Sequence, residues 1–239
     1  MSIKYNPIES SKRFHIPPTL KSDFDKFLSY DVPNQVMDFK IYHNWYDQQN
    51  FHIERGELYP DSTKSRYEDT DSNMNVRFSA SADVQKGDIV IDENGTIYVL
   101  DWGINPEHNN KASRAVKCNF NLEVYRFKKE VTDEYGMVIE PEGEYKFVEA
   151  IPCNGYRYDG RPDFSAISST PGVVANALSL FTVQCNESTN QIMAGDKFKW
   201  GTIEYIVVDV NYNGVNFLKD GVAGTLKLSA KKAAGGDDT

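Results

Sequence analysis

An imperfect internal repeat constrains this chain more than any other feature. Gly87-Asp88-Ile89-Val90, a turn at Asn94-Gly95-Thr96 and the run Ile97-Tyr98-Val99-Leu100-Asp101 form the first copy. The second reads Gly195-Asp196-Lys197-Phe198, a turn near Trp200-Gly201-Thr202, then Ile203-Glu204-Tyr205-Ile206-Val207-Val208-Asp209. Matching them needs a turn two residues shorter and a second strand two residues longer. Each copy joins a Gly-Asp turn, a short strand, a glycine-containing hairpin and a strongly β-forming strand. The repeat predicts a mainly β chain with two small antiparallel β-barrel units in tandem. The aromatic share of 13%, mostly Tyr and Phe, suits it, because flat rings pack well on pleated surfaces.

Patterning along the chain divides it. Residues 1–74 read as an N-terminal arm, a short helix, a strand and a polar loop. Phe14 and Ile16 precede Pro17-Pro18, which disfavours helix there. Leu20, Phe24, Phe27 and Leu28 then make one apolar helical face. Met37, Phe39 and Ile41 alternate with Asp38, Lys40 and Tyr42, the pattern of a half-buried strand. The polar stretch from Tyr59 to Asn73 reads as a long exposed loop. Residues 75–153 are expected to hold the first barrel, with 117–153 projecting from it as a long hairpin that stops at Pro152-Cys153. A linker is expected over 154–172, rich in Gly, Pro, Ser and Asp, then a second barrel over 173–232 and a disordered tail over 233–239.

The sequence carries no catalytic signature, and the chain is expected not to be an enzyme and to need no cofactor or metal. The histidines His15, His43, His52 and His108 fall in no HExxH or HxH arrangement. A metal site from His43 and His52 would need a third ligand that spacing does not supply. Asp69, Asp71 and Asn73 open like a calcium loop, but Met74 stands where the turn glycine belongs and Ala80 where a bidentate Glu belongs. Asp101, His108 and Ser113 lack a nucleophile elbow. Cys118, Cys153 and Cys185 form no CxxC pair and read as reduced, mostly buried thiols of a cytosolic protein. A net charge of −9 argues against a basic nucleic-acid clamp. The sequence has no apolar stretch of membrane-spanning length. Trp102 and Trp200 lie beside the two turns, where packing competes with a carbohydrate-binding role.

Three stretches resemble the head-to-tail connectors of tailed bacteriophages, the stopper or head-closure group. One is the "GD…G-x-x-Y-x-V" hairpin from Lys86-Gly87-Asp88 to Leu100-Asp101. The second runs from Cys118-Asn119-Phe120-Asn121-Leu122 through Asp133-Glu134-Tyr135-Gly136-Met137-Val138-Ile139 to Ile151-Pro152-Cys153. The third runs from Ala194-Gly195-Asp196-Lys197-Phe198 to Asp209 and ends with Gly221-Val222-Ala223-Gly224-Thr225-Leu226-Lys227-Leu228. The resemblance implies a virion structural protein of the phage neck, assembled in the host cytoplasm. It implies a ring of identical subunits, of six-fold or twelve-fold symmetry, between a portal or adaptor and the tail terminator or tube proteins. DNA would occupy the lumen without sequence-specific binding, no membrane would be involved, and edge strands of open barrels would pair between subunits. Residues 1–40 and the 128–146 hairpin are the expected contact elements, with Phe14, Phe24, Phe27, Tyr135, Gly136 and Met137 as candidate contacts. The rival expectation is a carbohydrate- or receptor-binding module of a tail tip or cell-surface machine.

Overall fold

Two six-stranded antiparallel barrels, each closed on itself, follow one another along the chain. The computed structural model describes residues 24–30, 35–60, 73–101, 110–157, 179–218 and 221–233. The first barrel consists of β1 (Val36–Tyr42), β2 (His52–Pro60), β3 (Asn73–Ser79), β4 (Ile89–Ile91), β5 (Ile97–Leu100) and β6 (Asn110–Lys117). They close in the order β1-β2-β3-β6-β5-β4. The second barrel uses β7 (Phe120–Lys128), β10 (Gly143–Arg157), β11 (Ser179–Gln184), β12 (Lys197–Trp200), β13 (Ile203–Asn211) and β15 (Gly221–Lys232). Its ring runs β7-β10-β11-β15-β13-β12 and returns to β7. Numbered from the first strand of each barrel, both rings read 1-2-3-6-5-4. The duplication therefore extends to the whole connectivity, well beyond the echoed hairpin.

The second barrel carries two insertions. A two-stranded ribbon, β8 (Val131–Thr132) and β9 (Val138–Glu140), extends the connection between β7 and β10. Among the described residues, strand β14 (Val215–Leu218) pairs only with the start of β15, and it lies outside the ring.

The strands divide between the barrels differently from the sequence-based division. Strands β1 and β2 are walls of the first barrel, because too few strands follow residue 75 to close it. The expected projecting hairpin of the first barrel supplies β7 and β10, two walls of the second. The barrels are joined by Cys118-Asn119, not by 154–172. Pro152 does not end β10. It pairs with Asn121, beyond register shifts between Lys146 and Ile151 that loosen the ladder where a proline must be accommodated. The arm before residue 24, most of the polar loop (61–72), residues 158–178 and 234–239 lie outside the described residues.

Alternation along the strands fills the cores. Phe39, Ile41, Val76 and Phe78 are buried in the first barrel. The second is packed by Phe181, Phe198 and Tyr205, with Phe181 set edge-on to Phe198 at 4.8 Å between ring centres. Each fully buried ring of this kind stabilises the fold by roughly 2–3 kcal/mol. Tyr42, Ile89 and Val99 of the first barrel belong to the same apolar cluster as the second barrel's core.

Polar contacts lock this joint. The buried Gln184 side chain donates to the Gly87 carbonyl at 2.9 Å and to Tyr42 and His43 carbonyls at 3.2 Å each, while accepting from Trp45 N at 2.8 Å. Asp101, expected only as a nominal triad member, accepts from Thr225 Oγ1 and pairs with Lys227 Nζ across the joint.

Candidate functional site

Both echoed hairpins build the same corner. Gly87 and Gly195 adopt φ of 92° and 97°, a region that favours glycine. Gly87 N donates to Leu100 O and Leu100 N to Asp88 O, while Gly195 N donates to Val207 O and Val207 N to Asp196 O. Each aspartate turns back to accept a main-chain N–H three residues earlier: Gln85 N to Asp88 Oδ2 at 2.7 Å, Met193 N to Asp196 Oδ2 at 2.8 Å. Tyr98 and Tyr205 hold equivalent places, so the strands align one residue away from the sequence match of Asp101 with Asp209.

The two buried carboxylates, 1% and 2% exposed, take cations from equivalent positions, one just past the end of β1 and one within β7. Tyr42 pairs with Ile89 and Tyr125 with Lys197, and the next residues are His43 and Arg126. Arg126 grips Asp196 through Nε at 2.7 Å and Nη2 at 2.8 Å. His43 Nδ1 lies 2.9 Å from Asp88 Oδ1, and its Nε2 lies 3.4 Å from Asp83 Oδ2. The hydrogen bond to Asp88, with the charges of Asp88 and Asp83, pushes the His43 imidazole up to about 8 against an opposing effect of burial. Burial holds the Asp88 carboxyl above its usual range, with the imidazole pulling the other way.

The most exposed apolar side chain among the described residues, Tyr135, is at the tip of the β7–β10 connection. Asp133 shapes the turn by accepting from Tyr135 N at 2.9 Å and Met137 N at 2.8 Å through Oδ1, and Gly136 takes a φ of 79°. A turn organised by its own backbone presents its side chains with little further entropy loss on contact. Tyr135 is 83% and Met137 69% exposed, beside exposed Val131, Val138 and Ile139. Isolated exposed apolar residues are ordinary; five on one ribbon form a patch.

The other candidate contacts fare differently. Phe24 and Phe27 stack at 6.2 Å on a short helix (24–28) held against the first barrel, with the Arg77 guanidinium over Phe24 and Arg55 Nε donating to Leu28 O. Phe14 lies outside the described residues, as do His108, Trp102 and the Asp69–Asp71 loop. Trp200 packs on Phe120 and Phe181 at 5.6 and 5.4 Å. Burial raises all three thiols, Cys118 to about 12 and Cys185 to about 11, so none is poised as a thiolate. Among the described residues no helix is long and apolar enough to cross a membrane.

The connection in the first barrel equivalent to the ribbon is residues 43–51, and its Trp45 and Tyr46 are partnered. Trp45 Nε1 donates to Ala150 O at 3.2 Å and Tyr46 Oη to Glu149 O at 2.7 Å, both on β10. The register places Ile53 of β2 at the point equivalent to this gripped stretch of β10. Ile53 is 60% exposed, next to the exposed Phe51. Neither residue stands out in sequence, where an apolar residue amid His52, Glu54 and Arg55 reads as ordinary alternation. No family model, curated protein or solved structure gives a significant match to this chain.

Proposed function

We propose that this chain is a structural protein that assembles head-to-tail into a ring, and that the ring is a connector in the neck of a tailed phage, between portal or adaptor and tail. The observation that carries the assembly reading is the unequal fate of two equivalent connections. The 43–51 connection grips β10 of the next barrel within the chain. The β8–β9 ribbon leaves its barrel at the equivalent place with Tyr135 and Met137 uncovered. Repeating the internal contact between molecules seats the ribbon of one subunit on Phe51 and Ile53 of the next. Such a contact is heterologous and forms a ring when its rotation closes.

Both barrels are closed, so their strands offer no free edge to a neighbour. Cross-subunit pairing by open barrel edges is therefore replaced by side-chain contact at the ribbon. The connector assignment rests on the resemblance of the three motifs and on tandem barrels suited to a ring wall. A net charge of −9 fits a lumen that DNA traverses without tight binding. The carbohydrate-binding alternative gains no support from Trp45 or Trp200, both of which are engaged in packing.

The test is a Met137→Cys, Ile53→Cys double variant oxidised in solution. The native thiols are buried or half-buried, which favours pairing of the introduced ones. A covalent ladder ending at one ring size, absent from either single variant, is expected. Monomers throughout, with no binding of the wild type to portal or tail components, would sink the proposal.

A further inference from the structure

We propose that His43, His52 and Asp83 form a binding site for a divalent transition-metal ion of the zinc type, with Asp88 as the residue that orients His43. The spacing of the two histidines supplies no third ligand, but the fold does. His52 opens β2, and Asp83 lies in the connection leading from β3 to β4. One donor atom from each of the three side chains falls within 4.8 Å of the others. The imidazoles of His43 and His52 face each other at 5.0 Å between ring centres. His43 Nε2 is 3.4 Å from Asp83 Oδ2, close to the roughly 3.3 Å that separates ligand atoms around a tetrahedral zinc.

The chemistry of the set matches its geometry. Two imidazole nitrogens and one carboxylate oxygen, with a fourth position open to water, suit zinc and its borderline neighbours rather than calcium or magnesium. A ligating histidine ordinarily gives its other ring nitrogen to a carboxylate or carbonyl, which fixes the ring and raises its basicity. Asp88 does this for His43 at 2.9 Å and is itself held by Gln85 N. The second barrel has no such option, because Arg126 fills the equivalent place with a guanidinium that cannot ligate. His52 Nε2 stands 2.7 Å from the Asp83 carbonyl, a contact that holds the ring beside Asp83.

Bound there, a metal would tie both ends of the 43–51 connection to the β3–β4 connection. Trp45 and Tyr46, which grip the second barrel, lie on the tied segment. The site is thus a latch on the joint between barrels, and it stands whether or not the chain forms a ring.

The test uses tag-free full chain stripped with a chelator and titrated with zinc against a chromogenic competitor, with thermal melting in parallel. His52→Ala and Asp83→Ala are the variants, since both side chains lie outside the core. Wild type should bind one zinc per chain and melt higher with it. Each variant should weaken binding at least tenfold and lose the thermal shift, and Asp88→Asn should weaken it by about tenfold. The cobalt(II) form should show the intense visible bands of four-coordinate metal. Zinc bound equally by wild type and either ligand variant, or no stoichiometric binding by wild type, would overturn the site. In that event His43 is simply a protonated bridge between Asp83 and Asp88.

Discussion

In the first barrel the connection after the opening strand, residues 43–51, folds back and grips the second barrel; in the second barrel the equivalent connection carries Tyr135, Met137 and Ile139 out into solvent. The strand order is the same, so topology alone does not decide what such a connection does. What differs is what each meets: the first is held by β10, while the second leaves its apolar side chains exposed. The corners beneath the two connections differ as well: a histidine serves Asp88, an arginine serves Asp196. Equivalent positions have been given one permanent charge and one that can be withdrawn.

The largest effect that could break this equivalence comes from removing the cations. Arg126→Ala leaves Asp196 buried and uncompensated and should cost about 3–5 kcal/mol. His43→Ala should cost less, about 1–2 kcal/mol, because burial already holds the Asp88 carboxyl above its usual range and the imidazole compensates only part of that. Urea unfolding of both variants reads the difference. Equal costs would mean that the two corners are equivalent in energy as well as in shape.

Substitution of the two turn glycines sharpens the comparison next. Gly195→Ala meets no atom within 4 Å and should cost only the left-handed backbone strain of about 1–2 kcal/mol. Gly87→Ala carries the same strain, but its Cβ would overlap the Gly224 main chain across the joint. It should cost clearly more and loosen the barrels from each other, visible as earlier loss of hydrogen-exchange protection around Gln184. A Gly87→Ala protein as stable as Gly195→Ala would show that the joint is not tightly packed at this point.

The corners were legible in the sequence because Gly-Asp turns and hairpin glycines impose their conformations locally. Their cations were not, since His43 lies 45 residues from Asp88 and Arg126 lies 70 from Asp196. Strand β2 has no legible strand pattern, because Gly56 and the charges Glu54, Arg55 and Glu57 interrupt its alternation. In the fold the Phe78 ring covers Gly56, and Phe181 covers Gly155 in the matching strand pair of the second barrel. Strands β7 and β10 belong to the second barrel through pairing partners far along the chain, which local pattern does not show. The exposed tip was readable as Asp133 and Gly136 in a turn with apolar neighbours. Its proposed seat at Ile53 becomes visible only when the two barrels are superposed strand by strand.

A smaller effect is expected from pH, measured on metal-free protein in chelator. The His43 imidazole faces Asp88, Asp83, His52 and the Gln85 amide. Its folded value of about 8 lies above the ordinary 6.5, so its pairing stabilises the fold fully below about 6.5 and is lost as pH rises through about 8. The Arg126 guanidinium stays charged over this range. Wild type should therefore lose stability from about pH 6.5 to about pH 9 more steeply than His43→Gln, with Arg126 variants keeping the wild-type slope. Identical slopes for wild type and His43→Gln would separate the imidazole from this effect.

The smallest change in stability should come from the ribbon, and this is where the two connections part most sharply. Tyr135→Ser with Met137→Ser removes side chains that touch little of their own chain, so unfolding free energy should stay within about 0.5 kcal/mol of wild type. Trp45→Ala, at the gripping connection, removes a ring packed on Tyr42 and a hydrogen bond to Ala150 O; it should destabilise by about 3 kcal/mol. If the connections are equivalent in use, the two variants should exchange roles when assembly is measured instead. The Tyr135, Met137 variant should remain folded but fail to form rings, as seen by light scattering. An assembled Tyr135, Met137 variant would leave the ribbon's exposed side chains without the role that the first barrel's connection suggests for them.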